Sequence, residues 1–183
     1  EPLRRKALTR RAWQRQLGEG SREPAKPDEL NIVMGILDEA AAWLHARGIT
    51  EQWPSPMPER AWKRIEQEIA EGDVYLARAA NGDAIGTFRF DWMDEELWAD
   101  DPDGGGYVHS FAIRPRAHGK GVGAAMMAWA KQHVRERGKK FLRLDCWGGN
   151  EPLKKYYAGL GFTLVRDVPL DDFVCTTFQM QAS

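Results

Sequence analysis

The sequence predicts one α+β domain of three layers, with a mixed, mostly antiparallel sheet of about seven strands and about four helices. The chain has 183 residues, which is the usual size of a single domain with its own core. Eight Trp and seven Phe supply far more apolar surface than a disordered chain carries. Apolar residues recur at helical spacing in some segments and alternate in others, so both element types are expected.

Charge is unevenly distributed along the chain. The net charge is −1, but residues 1–17 carry about +5 and residues 91–103, the acidic segment, hold seven carboxylates and no Lys or Arg. We expect a basic N-terminal arm over residues 1–20 with a short helical stripe, and a globular domain over residues 21–183. The arm is either solvated or a contact for a partner, and since no aromatic residues interleave its charges we do not expect it to bind nucleic acid.

No apolar run reaches the roughly 18–20 residues of a membrane span, and the N-terminus has no hydrophobic signal core. We therefore expect a soluble cytoplasmic protein, a monomer or a homodimer, without membrane contact. Cys146 and Cys175 are too few for a disulfide scaffold and lack the spaced partners of a zinc site, which predicts two buried thiols and no bound metal.

The first half of the domain reads as two helices followed by a hairpin. Apolar residues at helical spacing predict a helix over residues 27–48, and a second over residues 59–72, each closed by a glycine. Two β-rich runs, 74–79 and 84–92, flank Asn81-Gly82, a strong hairpin signal.

The second half alternates strands and helices. Strands are expected at 107–113, 141–147, 162–168 and 173–179, and helices at 124–138 and 152–160. Two-residue alternation along the strand at 107–113 places Tyr107, His109, Phe111 and Ile113 on one face.

A glycine-rich turn, His118-Gly-Lys-Gly-Val-Gly123, joins that strand to the next helix. Free N–H groups and the dipole at a helix N-terminus favour an anion, and glycine lets a large anion approach the backbone. The turn lacks the Gly-Lys-Ser/Thr ending of a Walker loop, and a proline and only one βαβ unit argue against a dinucleotide site. A coenzyme A pyrophosphate is the third candidate ligand.

Here the sequence resembles the GCN5-related N-acetyltransferase (GNAT) superfamily over about residues 21–181. The segment FAIRPRAHGKGVGAAMMAWA matches the family's strand, proline, Arg/Gln-x-x-Gly-x-Gly/Ala turn and helix, except that His118 occupies the Arg/Gln position. A second block, NEPLKKYYAGLGF, matches the family's Asn-containing turn and Tyr-x-x-x-Gly-Phe ending at Asn150, Tyr157, Gly161 and Phe162.

The resemblance implies transfer of the acetyl group of acetyl-CoA to a primary amine by direct attack in a ternary complex. It implies Tyr157 as the acid on the departing sulfur, with Tyr156 as the alternative, and Asn150 as a contact to the pantetheine arm or a helix cap. The implied acetyl-CoA contacts are Phe111, Ala112, Ile113, His118, Gly119, Lys120, Gly121, Val122, Gly123, Ala124, Asn150 and Tyr157.

His109 is the expected base, because histidine titrates near neutral pH and one branch of the family, the arylalkylamine N-acetyltransferases, has a histidine at this register. Glu95, Glu96, Asp145 and water are the alternatives. A small-molecule amine is the expected acceptor, cationic or aromatic, because carboxylates and tryptophans attract cations. Its expected contacts are Trp53, Trp92, Glu95 and Glu96. A protein or peptide amine as acceptor, and a non-catalytic acyl-CoA-binding module, are the remaining hypotheses.

Overall fold

A computed structural model describes residues 23–183, and the basic arm predicted at residues 1–20 lies outside them. Residues 23–183 form four α-helices and six strands, as the α+β prediction requires. The helices are α1 Leu30–His45, α2 Glu59–Glu71, α3 Val122–Glu136 and α4 Glu151–Gly159, with short 3-10 turns at Pro27–Glu29 and Pro115–Ala117. The strands are β1 Val74–Arg78, β2 Ala84–Asp91, β3 Gly105–Ile113, β4 Phe141–Trp147, β5 Thr163–Pro169 and β6 Val174–Gln181.

The strands form one sheet in the order β1-β2-β3-β4-β6-β5, in which only β3 and β4 run parallel. Six strands replace the predicted seven. At the β1 edge the described residues add a single bridge, Pro24 to Tyr75. Because proline has no N–H to donate to a ladder, this bridge is not extended into a strand at Pro24.

Two apolar cores cover the two faces of the sheet. On one face α3 and α4 bury Met126, Ala130 and Val134 against Phe88 and Leu144. On the other face α1 and α2 pack on β1 and β2 through a second set, and the loop after β2 adds Leu97 and Trp98 beside Tyr107. No helix in residues 23–183 has both the length and the apolar character of a membrane span.

The two parallel strands separate halfway along their length. β3 pairs with β4 from Gly105 and Phe141 only as far as Val108 and Leu144. His109 and Asp145 are the next residues on each strand, so they lie where the sheet opens. Helices cover both faces around this opening, which leaves it as the place where a ligand can enter between the strands.

A β-bulge lies at the same opening and changes the predicted alternation of β3. Three steps along β3, from His109 to Ala112, oppose two steps along β2, and Ser110 has a φ of 49°. The extra residue reverses the alternation, so the prediction that Tyr107, His109, Phe111 and Ile113 share a face is wrong. Phe111 and Ile113 pack on the α3 side, whereas Tyr107 packs on the opposite side.

Candidate active site

Two cavities meet where β3 and β4 separate. The apolar cavity, about 740 Å³, extends between α1, the β3–α3 turn and α4. The charged cavity, about 620 Å³, lies under the α1–α2 link and the acidic segment. Both are lined by Gln52, Trp53, His109, Ser110 and Asp145. A ligand in one cavity therefore reaches a ligand in the other beside His109.

The turn before α3 presents backbone N–H groups to the apolar cavity. Gly121 is the N-cap of α3 with φ 78°, a left-handed conformation that favours glycine. The first helical bond runs from the Ala125 N–H to the Gly121 carbonyl, which leaves the earlier N–H groups of the helix without a partner inside the helix. Such a terminus fits a pyrophosphate.

The side chain of His118 has a local role in this turn. Its Nε2 lies 2.9 Å from the carbonyl oxygen of Ile113, and its ring meets Trp43 edge-on at 4.9 Å. Gly119, Gly121, Val122, Gly123 and Ala124 line the apolar cavity with it. Lys120 is exposed and is not part of the lining, so of the predicted turn contacts it is the one the structure does not bring to the cavity.

Helix α4 brings Asn150 and Tyr157 to the far wall of the apolar cavity. Asn150 is the N-cap of α4, and its Oδ1 accepts a hydrogen bond from the Leu153 N–H at 3.2 Å. Its Nδ2 donates to Gln52 Oε1 at 3.0 Å, and the same oxygen accepts the Trp147 N–H at 3.1 Å. Asn150 therefore fixes α4 and holds the α1–α2 link over the opening.

Tyr157 and its neighbour Tyr156 differ in their surroundings. Tyr157 is 3% exposed and packs on Phe162 and Phe178. Burial raises the pKa of its hydroxyl well above the usual range, and the charges of Cys146 and Asp145 add to the shift. The hydroxyl therefore remains protonated at neutral pH. Tyr156 is 39% exposed, and its hydroxyl lies over Gly123 at the start of α3.

His109 lies among three carboxylates from three different segments. Its Nε2 is 3.6 Å from Asp91 Oδ2 and 3.8 Å from Asp94 Oδ2, and its Nδ1 is 3.5 Å from Asp145 Oδ1. These distances are longer than those of ordinary hydrogen bonds, so the carboxylates act on the ring through their charge. Each ring nitrogen therefore has a carboxylate beside it: Asp145 lies at Nδ1, and Asp91 and Asp94 lie at Nε2.

Arg89 neutralises one of these carboxylates. Its guanidinium lies 2.5 Å from Asp91 Oδ2 and 2.6 Å from Glu68 Oε1, in a largely buried pair of contacts. The carboxylate of Asp91 thus already has a cationic partner. The uncompensated negative charge at His109 comes from Asp94 and Asp145.

Three carboxylates of the acidic segment pair with cations of the sheet and the α3–β4 link, and these pairs hold the loop in place. Asp101 binds Arg143 at 2.6 Å, and Arg143 is 4% exposed and stacks at 4.1 Å on Trp98. Asp100 binds Arg166 at 2.5 Å, and Asp103 lies 3.7 Å from Lys139. The carboxylates that border the charged cavity from this segment are Asp94, Glu95 and Glu96.

The predicted acceptor contacts do not all lie at the same cavity. Trp53, Glu95 and Glu96 line the charged cavity, together with Arg60 and Arg64 of α2. Trp92 does not: it packs on Phe90 and His133 on the α3 face, with Arg137 at 5.2 Å from its ring. Trp92 directly follows β2, and the alternation of that strand turns the Trp92 side chain to that face.

Sequence reasoning missed two residues of the site, Gln52 and Asp94. Gln52 reaches across to Asn150, 98 positions away, and no local pattern signals such a contact. A local pattern could have indicated Asp94. An aspartate often caps a turn by accepting hydrogen bonds from the N–H groups two and three residues after it. Within residues 23–183, no group of three or more His, Cys, Asp or Glu side chains is arranged to hold a metal ion.

Comparisons with known proteins agree with this geometry. The sequence profile described as "Acetyltransferase (GNAT) family" matches residues 37–162. An uncharacterized N-acetyltransferase, YesJ, of Bacillus subtilis (strain 168) is 28% identical over 144 residues, covering 76% of this chain and 79% of that protein. The aminoglycoside N(6')-acetyltransferase type 1 of Stenotrophomonas maltophilia is 28% identical over 108 residues, covering 58% of this chain and 69% of that protein.

A solved structure shares the fold. The putative acetyltransferase yncA of Salmonella typhimurium, solved with its cofactor acetyl-CoA, superposes with a TM-score of 0.62 at 19% identity, covering 91% of this chain and 95% of that one. The profile match spans more than half of the chain, and it includes both the glycine turn and the α4 block. The chain therefore belongs to the GNAT acetyltransferase family and is an acetyl-CoA-dependent N-acetyltransferase.

Proposed function

We propose that the protein acetylates a small cationic amine, which enters through the charged cavity while acetyl-CoA occupies the apolar one. The observation that carries this proposal is the junction of the two cavities at His109 and Asp145. A nucleophile and a thioester that enter from opposite sides meet there without a covalent enzyme intermediate. Acetyl-CoA supplies the acetyl group as a thioester activated for attack.

The apolar cavity is proposed to hold acetyl-CoA. The N–H groups at the start of α3 bind the pyrophosphate, and Phe111, Ile113 and Leu153 offer apolar contact to the pantetheine arm. The volume of about 740 Å³ and the predominance of apolar side chains fit a long, flexible ligand with one charged end.

His109 is proposed to accept the proton of the amine. An alkyl ammonium is the main form at neutral pH, and it must lose a proton before its nitrogen can attack. Nε2 of His109 faces the charged cavity between Asp91 and Asp94, where that proton arrives. Asp145 at Nδ1 stabilises the imidazolium that forms.

Tyr157 is proposed to give its hydroxyl proton to the departing sulfur. Its raised pKa keeps the proton on the oxygen until a thiolate develops beside it. The protons balance over the reaction. The ammonium loses two protons on becoming the amide: one ends on the thiol of coenzyme A, and the other is released to water. Tyr157 regains a proton when the attacking nitrogen loses its second proton and the amide forms.

The proposal for a cationic acceptor rests on charge. Asp94, Glu95, Glu96 and Asp145 line the charged cavity, and Trp53 adds an aromatic face for cation–π contact. The relative from Stenotrophomonas maltophilia is named as an aminoglycoside N(6')-acetyltransferase, which supports a small-molecule amine as the acceptor.

The test is a panel of amines with acetyl-CoA, in which released thiol and acetylated product are measured together. Kanamycin, spermidine and tyramine represent cationic acceptors, glutamate an anionic one, and a lysine-containing peptide a protein amine. We expect turnover with one or more of the first three. Preference for glutamate or for the peptide would overturn the acceptor class. Binding of acetyl-CoA without transfer to any of these amines would likewise overturn the proposed acceptor class.

A further inference from the structure

We propose that Asp94 binds the protonated amine of the acceptor and is the residue that makes the site prefer cations. This inference rests on the proposed function, since it assigns the specificity of the same site. Asp94 precedes Glu95 and Glu96 in the acidic segment, but its position in the fold differs from theirs.

The carboxylate of Asp94 is buried and held in one orientation. Its side chain is 8% exposed. Oδ1 accepts hydrogen bonds from the N–H groups of Glu96 at 3.1 Å and Leu97 at 2.9 Å. The backbone N–H of Asp94 donates to the Pro102 carbonyl at 2.9 Å, and Leu97 is buried beside Trp98. With Oδ1 satisfied by the turn, Oδ2 is the oxygen available to a ligand.

Oδ2 and His109 Nε2 are spaced to share a bound ammonium. They lie 3.8 Å apart, too far for a hydrogen bond between them. A nitrogen placed within about 2.8 Å of both satisfies that geometry. An ammonium there donates one proton toward Asp94 and lies in line to pass another to Nε2. Binding and deprotonation thus use the same position.

The neighbouring carboxylates are less suited to this role. Asp91 is neutralised by Arg89 at 2.5 Å. Asp145 faces Nδ1 of His109 on the other side of the ring, and the Cys175 thiol lies 3.6 Å from its Oδ2. Glu95 and Glu96 are exposed, so water and salt screen their charges. Asp94 alone among these places near Nε2 a buried carboxylate that no arginine neutralises.

Three arginines line the charged cavity: Arg60 and Arg64 lie on its α2 wall, and Arg89 lies on β2, where Glu68 and Asp91 neutralise its charge. Arg60 and Arg64 are exposed, and Arg64 is 3.5 Å from Glu68. They disfavour an ammonium at that wall and leave the Asp94 end as its favoured position. An acceptor of this site therefore binds with its amine toward Asp94 and its remaining body toward α2 and the cavity rim.

The test compares benzylamine with benzyl alcohol, a matched pair that differs mainly in charge. Binding is followed by the fluorescence of Trp53 and Trp147, which line the cavity. Wild type should bind benzylamine about tenfold more tightly than the alcohol, because only the ammonium forms a charge-assisted hydrogen bond with the buried carboxylate. Asp94→Asn, which keeps an oxygen for the two N–H groups, should reduce the ratio to within about twofold of unity.

Asp103→Asn is the matched control, because it removes the same charge by the same substitution from an exposed position of the acidic segment that does not line the cavity. It should keep the wild-type ratio. Asp94→Ser serves as a second variant, since its hydroxyl also caps the turn, and unchanged acetyl-CoA affinity shows that each variant is folded. A preserved ratio in both Asp94 variants, an equal loss in Asp103→Asn, or no preference in wild type overturns the proposal.

The two proposals fail separately. In the kinetic assay, Asp94→Asn should raise the KM of the best cationic amine about tenfold and leave the KM of acetyl-CoA unchanged. If no amine supports thiol release, the proposed function fails. The benzylamine measurement needs no turnover and still decides whether Asp94 selects a cation.

Discussion

The two cavities that meet at the β3–β4 opening are built by different means. The apolar cavity owes its shape to a turn and a helix start that are continuous in sequence, from His118 to Ala124, with α4 opposite. The charged cavity draws its lining from the α1–α2 link, α2, the acidic segment, β4 and the β5–β6 turn. The apolar cavity is therefore a local structure, suited to a cosubstrate that is the same in every reaction. The charged cavity is assembled from distant segments, so its lining can differ between enzymes with different acceptors.

The β-bulge at Ser110 lies between the two cavities and contributes to both. It leaves His109 facing the charged cavity and turns Phe111 and Ile113 toward α3 and the apolar cavity. One extra residue therefore places His109, the proposed base, at one cavity and apolar side chains at the wall of the other. The positive φ of Ser110 is a local cost that a serine can bear and that a β-branched residue at this position would increase.

The largest effect that separates the cavities is expected in the reactivity of the two cysteines. Cys175 lines the charged cavity, whereas Cys146 is fully buried on the α3 face. Burial raises the pKa of both thiols to about 12, and Asp145 adds to the shift of each. A raised thiol pKa favours the neutral form, so at pH 8 the thiolate fraction is about a thousandfold below that of an ordinary cysteine.

Alkylation by iodoacetamide, followed by peptide mass spectrometry, measures this. Cys175 should react about a thousandfold more slowly than a free cysteine at pH 8 and about tenfold faster for each pH unit of increase. Cys146 should be slower still, because it is 0% exposed and needs the fold to open. Rapid modification of Cys175 at pH 8 would mean that the charged cavity stabilises an anion, contrary to the charge we assign to it.

Tyr157→Phe is expected to have the next largest effect, on the apolar side. The ring keeps its packing on Phe162 and Phe178, so only the proton donor is lost. We expect kcat to fall about 100-fold or more, with the KM of acetyl-CoA nearly unchanged. Tyr156→Phe is the control and should keep kcat within about threefold. Equal losses in the two variants would contradict the assignment of the acid to Tyr157.

The difference between the cavities also explains what the sequence could predict. The glycine turn and the Asn150-to-Phe162 block are short-range patterns, and the residues expected there line one cavity except for Lys120. Their contact with acetyl-CoA stays a prediction. Six strands were predictable from alternation, whereas the bulge at Ser110 was not, because it depends on how β2 and β3 pair. Trp92 was misplaced and Gln52 and Asp94 were missed, because the charged cavity is made by contacts between distant segments.

Arg143→Met tests whether the acidic segment is held by a buried cation. Arg143 binds the Asp101 carboxylate at 2.6 Å and carbonyl oxygen at 2.8 Å, and donates to the Tyr107 hydroxyl at 2.9 Å. Loss of these charge-assisted bonds should lower the free energy of unfolding by about 2 kcal/mol, about 6 °C in Tm. Arg166→Met, which breaks a partly exposed pair with Asp100, should cost less than about 1 kcal/mol.

The kinetic consequence of Arg143→Met should be confined to one cavity. Because the acidic segment borders only the charged cavity, the KM of the amine should rise while the affinity for acetyl-CoA stays at its wild-type value. Chemical denaturation gives the stability and initial rates give both KM values. A change in acetyl-CoA affinity as large as the change in amine KM would show that the cavities are mechanically coupled.

The smallest effect is expected at Gly123, in the first turn of α3. A Cβ there would overlap the Tyr156 hydroxyl and approach Ile113 Cδ1 at 2.9 Å and Phe111 Cζ at 3.1 Å, all at the wall of the apolar cavity. Gly123→Ala should raise the KM of acetyl-CoA about tenfold and leave kcat within about twofold. Gly159→Ala, where a Cβ meets no atom within 4 Å, should instead stabilise α4 by up to about 1 kcal/mol and leave KM unchanged.

A double substitution separates crowding from a change in the turn itself. Tyr156→Phe removes the hydroxyl that the new methyl group would meet, so Gly123→Ala in that background should recover most of the lost acetyl-CoA affinity. The recovery would show that the turn's N–H groups are unchanged and that the side chains above them had moved into the cavity. If affinity does not return, the methyl group acts on the backbone of the turn, and pyrophosphate binding rather than cavity width is what Gly123 protects.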